Sequence, residues 1–159
     1  PMQVALIPIS IVFGKLGLFN TYIGLGVVYI GFGISFGILV LRGFMSGIPH
    51  ELDEAAYIDG CNKVQLFTRV ILPLSKPAIA TLFISDFLAT WNEYLLSSII
   101  ITKDEMKTVP TGIMSFVGQH GTDYGGLSAG VTISIIPVMI VYFMFQKYFV
   151  AGMAGAIKQ

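Results

Sequence analysis

The sequence predicts an all-α protein, a polytopic transmembrane helix bundle with a charged helix–turn–helix loop between two of its spans. Three observations lead there. Of 159 residues, 55% are hydrophobic and only 11% charged, where a soluble domain carries roughly a quarter; mean hydropathy is +0.81. Three apolar stretches are long enough to cross a bilayer. Between the first two lies "PHELDEAAYIDGCNKVQLFTRVILPLSKP", Pro49 to Pro77, which carries Glu51, Asp53, Glu54, Asp59, Lys63, Arg69 and Lys76.

The chain opens at Pro1 inside an apolar run, "PMQVALIPISIVF". The run has no basic n-region and no small-residue cleavage site, so it is not expected to be a signal peptide. It is also shorter than the ~20 residues a span needs. It reads as the end of an earlier helix or an interfacial segment, and the chain as a piece of a longer protein.

The first span covers about 22–44, "YIGLGVVYIGFGISFGILVLRGF". Its glycines, including the Gly33-xxx-Gly37 pair, allow backbones to approach closely in a membrane. The second span covers 77–101 and the third 127–149. At ~1.5 Å per residue each is roughly 34 to 38 Å long, enough for a ~30 Å hydrocarbon layer with some tilt. Between them, "TKDEMKTVPTGIMSFVGQHGTDYGG" reads as an extramembrane loop with one short helix.

Basic residues orient the bundle. Arg42, Lys63, Arg69, Lys76, Lys147 and Lys158 fall on one side, and Lys15, Lys103 and Lys107 on the other. The richer side is expected to be cytoplasmic. That places the 45–76 loop and the C-terminus inside, and the 102–126 loop outside.

Formal net charge is zero, and the charged loop has more acids than bases. Both oppose a nucleic-acid partner, even for a helix–turn–helix. Cys61 is the sole cysteine, which excludes an intrachain disulfide and a cysteine metal cluster. His50 and His120 have no partners at metal-ligand spacing. There is no Walker A sequence and no Ser–His–Asp arrangement, so no catalytic residue, metal or cofactor is expected.

Within the loop, Pro49 suits a first helical turn, and Glu51, Asp53 and Glu54 lie near the positive end of the helix dipole. Leu52, Ala55 and Ala56 share one face. Gly60 is a left-handed terminator. Asn62 caps a second short helix with a stripe of Val64, Phe67 and Ile71, which Pro73 is expected to end. A pair of surface helices with no partner has the same pattern.

The motif goes further. Glu54, Ala55 and Ala56, then Gly60 after three residues, then Leu72 and Pro73 about a dozen later, resemble the EAA signature of inner-membrane permease subunits of binding-protein-dependent ABC importers. "KLGLFNTYIGL", "FLATWNEYLL" and "SIIPVMIVYFMFQKYFVAGMAGAIKQ" are similar to the carbohydrate branch, the maltose-type permeases. The resemblance covers essentially all of residues 1–159 but only the C-terminal half or so of a family member, within one transmembrane domain. It implies a bacterial-type inner membrane location and a non-enzymatic subunit of an ATP-driven sugar importer. It also implies three protein partners: an ATP-binding cassette ATPase that hydrolyses ATP on its own chain, a second permease subunit, and an extracytoplasmic solute-binding protein. In the family this loop docks into a cleft on the ATPase, which assigns ATPase coupling to Glu54, Ala55, Ala56, Asp59, Gly60, Leu72 and Pro73. The competing reading is a secondary transporter or channel whose cytoplasmic loop only regulates it.

Asp86 and Glu93 lie inside the second span. Two acids at a span centre cost about 5–7 kcal/mol, and the span's Leu, Ile and Phe residues return about 3–7 kcal/mol. The helix therefore cannot face lipid all round. At 100° per residue, Asp86, Thr90, Glu93 and Ser97 form a narrow stripe, expected to line a polar translocation path; the alternative is pairing that only holds the bundle together. Trp91, Asn92, Glu93 and Tyr94 match a segment of the family, whereas Asp86 does not fall on a position recognised as acidic there.

Overall fold

Nearly everything described is helical, as expected. The computed structural model describes residues 2–118 and 121–156, excepting the side chains of Met2 and 147–156. His120 and Lys158 lie outside the described residues, as does the side chain of Lys147.

A 3-10 turn, Met2–Ala5, leads into α1, Leu6–Leu16. Gly17 ends it with φ 65, and the Leu18 N–H returns to the Phe13 carbonyl at 3.0 Å. Thr21 then opens α2, Tyr22–Met45, its Oγ1 accepting the Gly24 N–H at 3.0 Å. This helix matches the first expected span and is long and apolar enough to cross a membrane.

The charged loop forms α3, His50–Ile58, then α4, Lys63–Leu66. Pro49 stands just before α3, in extended backbone, as its N-cap. The second helix does not end at Pro73. It runs on through a π-helical turn, Phe67–Ile71, into α5, Leu72–Leu74. The Leu72 N–H reaches the Phe67 carbonyl, and the absent N–H of Pro73 falls where the π register returns to α. The chain bends at Ser75 instead, by 65° between Lys63–Leu74 and Lys76–Trp91. Ser75 is fully buried, with its Oγ on the Ile71 carbonyl at 2.8 Å.

The second expected span is not one helix. α6, Lys76–Trp91, stops short, and α7, Leu95–Ile100, follows after a break. A 3-10 turn Asp104–Met106, α8 (Val109–Met114) and a two-rung antiparallel pair, β1 (Val117–Gly118) with β2 (Gly121–Thr122), fall within the 102–126 loop. That is more structure than the single short helix expected there. α9, Tyr124–Ala156, covers the third expected span and exceeds it at both ends, with Pro137 inside.

Packing divides the chain into two units. The first comprises residues up to Phe32 with Phe87–Ile140. Its core joins Phe13 of α1 and Leu25 and Val28 of α2 to Leu96, Ile100 and Ile101, at and just beyond α7. In the second, Gly33–Asp86 with residues from Val141 on, α2 meets α6 through its glycines. A Cβ at Gly37 would lie 3.5 Å from Leu82 Cδ2, and one at Gly33 would lie 3.9 Å from Asp86 Oδ2. The glycine pair thus serves helix packing.

Candidate functional site

Local sequence builds the helix–turn–helix. After α3 the Gly60 N–H bonds the Tyr57 carbonyl at 3.0 Å, and the Cys61 N–H bonds the Ala56 carbonyl at 2.9 Å. With Gly60 at φ 80, this is a Schellman closure. Asn62 accepts the Gln65 N–H, and Gln65 Oε1 accepts the Asn62 N–H, each at 2.9 Å. Gln65, absent from the sequence reasoning, thereby completes a capping box; its signal was the Asn-x-x-Gln spacing.

The two helices and the π turn that follows keep apolar side chains in the open. Ile58 is 86% exposed, Val64 71% and Phe67 47%. Only Ala56 is buried on the expected α3 face; Leu52 and Ala55 are exposed. Glu54, Asp59, Gly60, Leu72 and Pro73 are exposed as well. The result is an exposed apolar surface bordered by carboxylates, chemistry suited to a protein groove with basic rims.

The break between α6 and α7 is a second constellation. Asn92 closes α6, donating from Nδ2 to the Leu88 carbonyl at 2.8 Å. Glu93 opens α7, accepting the Leu96 N–H at 2.6 Å on Oε1 and the Ser97 N–H at 3.0 Å on Oε2. Those are donors a helix start leaves orphaned. Tyr29 of α2 donates its hydroxyl to the same Oε2 at 3.0 Å. Buried Ser97 donates to the carbonyls of Glu93 or Tyr94, at 3.1 and 3.0 Å, and accepts from Thr108 Oγ1 at 3.1 Å. Thr108 and Thr111 share a further hydroxyl contact at 3.1 Å.

Of the four stripe residues, the structure brings Glu93 and Ser97 together. Thr90, exposed, and Asp86, half-buried, lie a turn apart on α6. Because that helix ends at Trp91, the four do not share one continuous helical face. Tyr29 and Thr108 escaped the sequence reasoning, since each joins through contacts distant in sequence.

Beside the break is a cavity of about 260 Å³, lined by Trp91, Asn92, Tyr94, Pro110, Met114 and Ser134 among others. The Trp91 indole N–H is held by the Ser134 carbonyl at 3.1 Å, and its ring stacks on Phe87. Among the described residues no group of three His, Cys, Asp or Glu side chains is placed to hold a metal ion.

A family model described as "Binding-protein-dependent transport system inner membrane component" matches residues 1–155. The chain is 41% identical to the probable ABC transporter permease protein YurM of Bacillus subtilis (strain 168), over 98% of this chain and 52% of that protein. It is 42% identical to the probable starch degradation products transport system permease protein AmyC of Thermoanaerobacterium thermosulfurigenes, over 100% of this chain and 58% of that one. Among solved structures, a bacterial ABC transporter involved in import of the acidic polysaccharide alginate superposes with a TM-score of 0.72 at 26% identity, covering 90% of this chain and 55% of the other. The chain spans about half the length of the curated relatives it matches.

Proposed function

The chain belongs to the family of binding-protein-dependent transport system inner membrane components, and on that premise we propose that it forms part of the permease subunit of an ATP-driven carbohydrate importer. The observation that carries the reading is the helix–turn–helix of α3 and α4. It holds the EAA pattern at Glu54, Ala55, Ala56 and Gly60 and keeps Ile58 and Val64 exposed, with Phe67 exposed in the π turn just after it.

In this reading the loop lies in the cytoplasm and docks into a cleft of a separate ATPase subunit. Ile58 and Val64 enter the cleft, while Glu54 and Asp59 meet basic side chains at its rim. Leu72 and Pro73 sit where the π turn joins the loop to α6, so a push on the loop is passed to the span through the bend at Ser75. Two permease subunits enclose the path. Asp86, Thr90 and the Trp91–Ser97 break contribute polar surface to it, and a solute-binding protein delivers sugar from outside. Carbohydrate is favoured because the relative from Thermoanaerobacterium is described as transporting starch degradation products.

The experiment is uptake of radiolabelled maltose, maltotriose and trehalose into proteoliposomes. They hold the full-length permease, its partner permease and the ATPase, with the solute-binding protein outside. ATP-dependent uptake that survives an ionophore is expected. Uptake that needs an ion gradient and ignores ATP would replace the importer with a secondary transporter.

A further inference from the structure

Asn20 is the one non-glycine among the described residues with a left-handed backbone, at φ 54. Asparagine tolerates that conformation better than most residues. The turn places its side chain against the end of α7. There Oδ1 accepts the Thr102 N–H at 2.7 Å, the Thr102 hydroxyl at 3.0 Å and the Lys103 N–H at 3.0 Å. Its own N–H bonds the Ile100 carbonyl at 2.9 Å. One carboxamide oxygen thus serves three donors at the point where the chain leaves the core.

Beneath that point, Ile100 and Ile101 are each 1% exposed, packed with Phe13 and Leu25. Seven residues on, Thr108 is tied back to buried Ser97. Residues 102–108 therefore form an arch held at both feet, by Asn20 at one and Ser97 at the other. Its crest presents Lys103, Asp104 and Glu105 to solvent, with Asp104 and Lys107 paired at 2.6 Å. A surface already held in a fixed shape meets its ordering cost before any contact.

We propose that Asn20 is a positioning residue for solute delivery: it fixes the arch so that its charged crest is preformed for the soluble solute-binding protein. The inference rests on the importer reading and adds a residue to it. Removing the carboxamide leaves the core packing of Ile100 and Ile101 in place but frees the arch at one foot. Delivery should then weaken while the chemistry of transport continues.

The experiment titrates the sugar-loaded solute-binding protein into the proteoliposomes above, with rates normalised to assembled complex. Asn20→Gly keeps the backbone turn and deletes the oxygen. Its half-saturating concentration should rise about tenfold, with the maximal rate within about twofold of native. Asn20→Asp keeps an oxygen in place and should return the half-saturating concentration to within about twofold. A native half-saturation for Asn20→Gly, a loss confined to assembly or maximal rate, or no rescue by Asn20→Asp overturns the proposal while leaving the importer reading intact. A native complex that takes up none of the sugars overturns both.

Discussion

Tyr29 and Glu93, 64 residues apart in sequence, meet at 3.0 Å, phenol to carboxylate. The same carboxylate holds the first amides of α7, so one bond from α2 steadies the start of a helix that the chain could have continued from α6. Glu93→Ala would leave the Leu96 and Ser97 amides without that acceptor, at about 1–3 kcal/mol. Thermal unfolding of the purified full-length complex in detergent should show the loss. Tyr29→Phe, which keeps the ring, should lose about 1 kcal/mol, and the double variant less than the sum of the two singles. Additive losses would mean that the pair does not act as one unit.

The α1–α2 turn yields a matched pair of glycine variants. A Cβ at Gly24 would drive into the Leu18 carbonyl oxygen, whereas one at Gly26 meets nothing within 4 Å. Gly24→Ala is expected to cost about 1–3 kcal/mol, in the range for overpacking, and Gly26→Ala to change stability by less than about 0.5 kcal/mol. The same unfolding measurement ranks them. Equal effects would show that the turn yields freely.

Much of this architecture was written locally. α2 announces itself by an uninterrupted apolar run, and the helix–turn–helix by Gly60 and Asn62, whose roles depend only on neighbours within five residues. The break after Trp91 was hidden because apolar runs lie on both sides of it. It depends on Asn92 and Glu93 acting as caps inside what reads as a span, with help from Tyr29 far upstream. The extension beyond Pro73 was missed for a different reason. Proline stops a regular helix, but here a π turn supplies the change of register it needs. Asn20 carried no sequence signal of its role, since its partners lie more than 80 residues away.

Gly60 separates backbone need from space. No atom lies within 4 Å of a Cβ there, yet φ is 80. Gly60→Asn should therefore be tolerated, Gly60→Ala should cost about 1 kcal/mol or more, and Gly60→Val should cost more again. In the full-length permease, Gly60→Val should insert in the membrane and bind less ATPase, as read by co-purification. If all three variants retain native ATPase binding, the turn angle does not matter for docking.

The central claim is that the α3–α4 loop meets the ATPase. Its most direct measurement is a photocrosslinker at Ile58, which is 86% exposed, in the full-length permease assembled with all its partners. A second crosslinker at Lys107, in the 102–126 loop, serves as the reference. Ile58 should capture the ATPase, with a yield that changes on adding ATP, while Lys107 should capture the solute-binding protein. Capture of the ATPase from Lys107 and not from Ile58 would contradict the account and invert the membrane orientation on which it depends.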